Sequence, residues 1–449
     1  MTLFINRKGE LEKFSQLGKL NIIFGRRRVG KTRFLKELLK EKIKNKEAVY
    51  LLAINKDLNT NLKRFSDSIS KLYNIPGLDF KNFKEMFEFL ETRKETKIVA
   101  IDEFGYLISH GLLPEFQEIV DDVIKHKKLI LTGSSISLME TSFLEYGSPL
   151  YGRVDKILHL QPLKFKYLFE WFKGLAFEDL LKIHAVTGSI PRYLEFFNKK
   201  EKIESQIIKN FFSQTFLFYD ARKLLEEELR ETERYFSILE AISKGKNSLN
   251  EIKNFTHIEY QSLPFYIQKL RRLKIINKIS PLLGKTRSIY KMVDNYYSFW
   301  FGFIYPYEDE IDSEFNENAI HEFEKNFNAY LGFVFEDVCK ELIKELRFFN
   351  YTKLGKWWHK DKEIDILAIN DSNKEILACE CKWQHRINAA KVAKEIVEKL
   401  SYVDWHNKKR KESLAIFAKS FSKRITSYEG RKVYCYDLRD LEKVLRRKV

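Results

Sequence analysis

Gly25-Arg26-Arg27-Arg28-Val29-Gly30-Lys31-Thr32 stands between an apolar run, Leu20 to Phe24, and a helical pattern that opens at Lys31. The string fits GxxxxGK[ST] in the strand–loop–helix context that gives the motif meaning. Its two glycines let the backbone curl so that N–H groups and the helix N-terminus face phosphate oxygens. Lys31 is suited to neutralise the outer phosphates, Thr32 to hold Mg²⁺, and Arg33 follows in the same helical turn. A chain with this element must build a buried strand with a helix folded back over it, so an α/β layer structure binding ATP and Mg²⁺ is expected.

The surrounding pattern agrees. Near-continuous apolar runs at 20–24, 48–53, 98–102 and 129–132 alternate with helical patterns, as in a parallel sheet buried on both faces. The third run, Ile98-Val99-Ala100-Ile101, ends in Asp102-Glu103. Asp102 is placed to hold the cation's water shell and Glu103 to activate the attacking water. Thr132-Gly133-Ser134 closes the next run, where a hydroxyl either senses the terminal phosphate or only ends the strand. These residues define a P-loop ATPase core over 1–160.

Beyond it the pattern turns helical, broken at Thr187-Gly188-Ser189-Ile190-Pro191, so 161–230 reads as an all-α lid. Residues 231–305 run helix, short helix, helix, then a hairpin around Pro281 to Gly284, the order of a winged helix-turn-helix. In its third helix Leu263, Ile267 and Leu270 form an apolar face. Gln261, Tyr266, Gln268, Lys269 and Arg272 lie largely on others, which suits major-groove DNA, and Lys285 and Arg287 extend the wing. Winged helices also serve as spacers and protein contacts, and both roles stay open. The acidic segment Glu308 to Glu317 lacks apolar periodicity, so 306–325 is expected to be a linker. A final α/β domain over 326–449 starts with a helix at 327–346, followed by strands at 363–369, 375–382 and 414–418 and a helix at 389–402.

The balance of 80 Lys+Arg against 63 Asp+Glu, net +17, suits a polyanionic partner such as DNA, and equally suits solvated ion-pair networks. Hydrophobic residues at 44% exclude a disordered chain. The four cysteines lack CxxC spacing and read as small buried apolar residues. The N-terminus, Met1-Thr2-Leu3-Phe4-Ile5-Asn6-Arg7, lacks a long apolar stretch, and the aromatic run Phe299 to Tyr307 is too short for a bilayer. A cytoplasmic protein without membrane contact is expected.

Asn6-Arg7, the Asp102-Glu103 doublet, Tyr151-Gly152-Arg153 and Gly188-Ser189-Ile190-Pro191-Arg192-Tyr193-Leu194 resemble the archaeal ATPase family within the STAND NTPases, relatives of AAA+ proteins. The resemblance implies that Pro191 lies in a lid turn near the nucleotide base, although Gly-Ser-Ile-Pro stands where Gly-Gly-x-Pro is usual. It also implies a phosphate-sensing role for Arg153 and possible homo-oligomers, since AAA+ relatives often form rings.

Glu363-Ile364-Asp365-Ile366-Leu367 and then Glu380-Cys381-Lys382, preceded by a helix carrying Glu336, match the order of the PD-(D/E)xK nuclease-like superfamily. Asp365 and Glu380 suit Mg²⁺, with Glu336 in support, and Lys382 suits orienting or deprotonating a water. Two functions are therefore expected. One is an ATP-regulated, Mg²⁺-dependent enzyme acting on DNA. The other is a signalling NTPase switch whose nuclease-like domain only binds protein or DNA.

Overall fold

The computed structural model describes residues 5, 7–229, 231–284, 286–407 and 409–447. Asn6, Lys285 and the opening residues 1–4 lie outside the described residues. Strands β1 (Leu20–Phe24), β2 (Ala48–Leu52), β3 (Ile98–Asp102), β4 (Lys128–Gly133) and β5 (Lys156–His159) form one parallel sheet in the order β2-β3-β4-β1-β5. Alternation of side chains splits β1 between two cores. Leu20, Ile22 and Phe24 join Phe65, Phe87, Phe104 and Phe116 in one, whereas Ile23 joins Phe34, Leu35 and Leu39 in the other. The second core belongs to the helix Lys31–Lys44 that leaves the glycine loop. Because β4 sits between β1 and β3, the register Phe24↔Gly133 and Ile101↔Leu131 brings the glycine loop, Asp102 and Thr132 to one sheet edge. Ligands of open α/β sheets bind at this carboxyl edge.

The chain falls into two compact units, Met1–Pro162 with Ile190–Arg192, and Leu163–Ser189 with Tyr193–Val449. This corrects the expected division. Apart from Ile190–Arg192, the helices of 161–230 belong to the second unit, not to the sheet. Aromatic packing is the reason. The Phe177 ring lies 6.2 Å from Phe335 and Phe212 lies 5.2 Å from Phe323, and the Tyr330 hydroxyl donates to the carbonyls of Ala185 (2.9 Å) and Asn295 (3.0 Å).

Nor is 306–325 a linker. It holds the helix Glu308–Asp312 and the start of a 30-residue helix, Glu317–Leu346. Acidic residues in both first turns complement the helix dipole. Ile311, Ala319, Phe323 and Phe327 are buried, so the residues that read as solvated linker are helical turns with an apolar face.

Helices Thr232–Ser243, Leu249–Thr256 and Leu263–Arg272 precede an antiparallel pair, β6 (Ile276–Ile279) and β7 (Ile289–Met292). Ser248 and Glu251 close a reciprocal capping box at the second helix. The final sheet runs β14 (Ser427–Tyr428), β15 (Arg431–Asp437), β12 (Lys411–Ala418), β10 (Glu375–Lys382), β9 (Lys362–Asn370), β8 (Lys353–His359). Its β8, β9 and β10 are antiparallel, while β10, β12 and β15 are parallel. Short strands β11 (Ile387–Asn388) and β13 (Phe421–Lys423) pair separately. Helix Ala389–Leu400 packs Val392, Ala393 and Ile396 on Ile376, Ala378, Leu414 and Ile416. Among the described residues no helix is long and apolar enough to cross a membrane.

Candidate functional site

The glycine loop is shaped by two close constraints. A Cβ at Gly25 would collide with the Leu160 carbonyl oxygen, and Gly30 holds φ 94°, a left-handed backbone that only glycine adopts at little cost. Buried Arg7 braces the loop from outside, donating to the carbonyls of Val29 (3.4 Å) and Gln161 (2.7 Å). Lys31, 5% exposed, donates to the carbonyls of Gly25 (2.9 Å) and Arg26 (3.1 Å). Burial pulls its pKa down to about 8, against the opposing pull of Glu103 and Asp102. A cation kept this close to neutrality among loop carbonyls gains most when phosphate oxygens arrive. Thr32 and Arg33 follow in the first turn, half-buried, while Arg26 and Arg27 are half-buried and Arg28 is exposed.

Asp102 is fully buried and accepts from Tyr50 Oη (2.9 Å), Thr132 Oγ1 and the Glu103 N–H (3.2 Å). Glu103 takes φ 55°, which costs a non-glycine residue about 1–2 kcal/mol, and its Oε1 accepts from Ser134 Oγ at 2.7 Å. The strand end therefore aims two adjacent carboxylates in different directions. Thr132, for which phosphate sensing and a plain strand end both stand open, donates to Asp102 and accepts from the Glu103 N–H (3.2 Å). Its hydroxyl orders the two acids. Arg153 forms a bidentate pair with Asp121 (2.7 and 2.8 Å) and donates to the Pro149 carbonyl (2.8 Å), and none of its described hydrogen bonds reaches the glycine loop. Pro191 opens the short helix Pro191–Leu194 and groups with the sheet unit. Tyr50 and the bracing by Arg7 were not singled out by the sequence.

A second cluster lies in the other unit. Ligand oxygens of Glu336, Glu363 and Asp365 lie within 4.8 Å of one another. A β-bulge helps: the β8–β9 register passes from Gly355↔Leu367 to Trp357↔Ile364, so Asp365 and Ile366 together oppose Lys356. Asp365 accepts from the Cys381 N–H at 2.8 Å. Burial first, then the charges of Glu380 and Glu336, push its pKa up to about 7. Lys356 bridges Glu336 (3.2 Å) and Glu363 (2.6 Å). Glu380, 1% exposed, binds Lys382 at 2.8 Å and Lys399 at 2.7 Å. The structure thus brings together Glu336, Asp365, Glu380 and Lys382 and adds Glu363, Lys356 and Lys399, which sequence reasoning missed. These clustered carboxylates are hard oxygen donors of the kind Mg²⁺ takes.

In the helix Leu263–Arg272, Gln268, Arg271 and Arg272 are exposed and Lys269 half-exposed, with Gln261 in the preceding turn. Tyr266, expected on the exposed side, is buried against Tyr235 and accepts from Arg234. Phe265 (66% exposed) and Tyr260 (53%) hold the outer face instead. The tip of the β6–β7 hairpin lies on β8: Leu282 N–H donates to the Lys356 carbonyl (2.8 Å), Thr286 Oγ1 to the Trp358 carbonyl (3.2 Å), and Trp358 Nε1 to the Arg287 carbonyl (3.3 Å).

Residues 4–197 match a family described as an ATPase domain predominantly from Archaea. Residues 300–396 match one described as "Archaea bacterial proteins of unknown function". An uncharacterized protein of Methanocaldococcus jannaschii is 34% identical over 465 residues, covering 98% of this chain and 100% of the relative. The chain belongs to the archaeal ATPase family. This archaeal ATPase is thus a nucleotide-binding, ATP-hydrolysing enzyme with a second family domain behind its ATPase domain. Solved structures with a similar fold include the ORC1 protein of Aeropyrum pernix in complex with DNA (TM-score 0.37, 13% identity, 72% of this chain and 94% of that one). Another is a STAND protein of Pyrococcus horikoshii with a tetratricopeptide repeat sensor (TM-score 0.32, 17% identity, 77% of this chain and 54% of that one).

Proposed function

We propose that this ATPase acts on DNA and that its C-terminal carboxylate centre is a Mg²⁺-dependent phosphodiesterase under nucleotide control. The observation that carries the reading is the meeting of Glu336, Glu363 and Asp365 oxygens within 4.8 Å, beside the Glu380–Lys382 pair. In the ATPase unit, Lys31 neutralises the outer phosphates, Thr32 and Asp102 would hold Mg²⁺, and Glu103 takes a proton from the attacking water. In the C-terminal centre, Asp365, Glu336 and Glu363 would hold the ion, with Glu380 as a further carboxylate beside them. When bound, the ion would neutralise phosphate charge and make the attacking water more acidic. Lys382 orients that water, and Gln261, Gln268, Lys269 and Arg272 contact the duplex.

One specific observation favours a second reading, in which the C-terminal domain is a binding module and the chain a switch. Glu336, Glu363 and Glu380 each already hold a lysine, through Lys356, Lys382 and Lys399. Incubation with several DNA forms and Mg²⁺ or Mn²⁺, with and without ATP, decides between them. Asp365→Ala and Glu380→Ala are expected to lose divalent-dependent cleavage with ATP hydrolysis intact, and Lys382→Ala to keep the metal but lose most of the rate. A wild-type protein that binds no metal at this centre by calorimetry and cuts no DNA form leaves the carboxylates as ion-pair partners.

A further inference from the structure

Asp102 is a buried carboxylate whose acceptor capacity is almost used up. Two carboxylate oxygens offer about four lone-pair sites. Oδ1 accepts from Thr132 Oγ1 and from the Glu103 N–H at 3.2 Å, and Oδ2 accepts from Tyr50 Oη at 2.9 Å. One site therefore remains, on the oxygen that Tyr50 holds. Tyr50 reaches it from the neighbouring strand. The β2–β3 register is Tyr50↔Ala100 and Leu52↔Asp102, so the phenol runs forward along the sheet edge for the rise of two residues.

Packing alone does not require this hydroxyl. The ring lies among the apolar side chains flanking the helix Lys31–Lys44, with Lys36 Nζ 5.3 Å from its centroid, and a phenylalanine would fill the same volume.

We propose that Tyr50 is a positioning residue for ATP hydrolysis, whose hydroxyl fixes the rotation of the Asp102 carboxylate and so leaves one defined lone pair to meet the hydrated Mg²⁺ that accompanies the nucleotide. This rests on reading Asp102 as the cation's partner. The hydrogen bonds that orient metal-binding carboxylates set metal affinity, and their loss typically costs about 10–100-fold. Tyr50 touches neither nucleotide nor reacting atoms and acts only through Asp102.

The test is Tyr50→Phe, read by calorimetry with a non-hydrolysable ATP analogue in the presence and absence of Mg²⁺. The variant is expected to keep the wild-type affinity measured without the cation, which doubles as a check on folding. The cation-dependent gain in affinity should fall about tenfold. The Mg²⁺ concentration giving half-maximal ATP hydrolysis should rise by a similar factor, while KM for ATP at saturating Mg²⁺ stays put. An unchanged cation-dependent gain overturns the proposal. So does an equal loss of affinity with and without Mg²⁺, because the hydroxyl would then serve the fold. A wild-type protein with no cation-dependent gain overturns instead the reading of Asp102 on which the proposal stands.

Discussion

Single residues divide the labour of the ATPase site. On the proposed reading Lys31 meets phosphate and Glu103 acts on water, so Lys31→Ala is expected to abolish nucleotide binding, and Glu103→Gln to keep binding and lose hydrolysis. Equal ATPase rates in wild type and both variants, by phosphate release, would remove both roles. Asp365 makes a pH prediction. Its folded pKa is about 7, and that of an unfolded aspartate is about 3.9. Between those values the folded protein holds a proton that the unfolded chain has released, so its contribution to stability falls as pH rises through the window. A divalent cation must displace that proton. Mn²⁺ binding measured by calorimetry is therefore expected to tighten from pH 6 to 8 and to release protons near pH 6, with the pH dependence lost in Asp365→Asn.

Elements explain what the sequence could and could not disclose. The expected strands at 20–24, 98–102 and 375–382 coincide with β1, β3 and β10, because buried strands are bounded by sharp changes of polarity. The segment 306–325 misled because first-turn acids resemble linker acids; its burial depends on distant rings such as Phe212 and Phe299 against Phe323 (5.2 and 6.0 Å). Phe323→Ala is accordingly expected to cost about 3–5 kcal/mol, measured by urea unfolding. Within the sites, Lys31 and Asp102 were legible because a local motif carries them. Glu363 and Lys356 were not, since a bulge and a cross-strand pair bring them together. Tyr50 left a faint signal, the only side-chain polar atom in the strand Ala48–Leu52, and a buried phenol needs a partner. The third winged-segment helix carries its own prediction. If Lys269 and Arg272 meet phosphates, replacing either with Ala should lower the slope of log affinity against log salt by about one. A slope unchanged in both variants would show that this helix does not touch the backbone of DNA.

At the scale of the whole chain, the +17 surplus is spread over both units and stands beside basic side chains that are internally matched. Glu412, for example, is held by Arg410 and Arg431, both at 2.7 Å. Retention of duplex at low salt, lost steeply on adding salt, is what a surplus facing phosphates predicts. The hairpin tip resting on β8 has a further consequence. β8 is the last strand of its sheet, and an outermost strand with bare N–H and C=O groups templates the addition of a foreign chain. Leu282 and Thr286 occupy that rim, so the β6–β7 hairpin covers backbone groups on which another strand could pair. A fragment beginning after Met292 would carry the complete sheet with its rim uncovered, and should emerge from expression as soluble multimers or inclusion bodies while the intact chain stays dispersed.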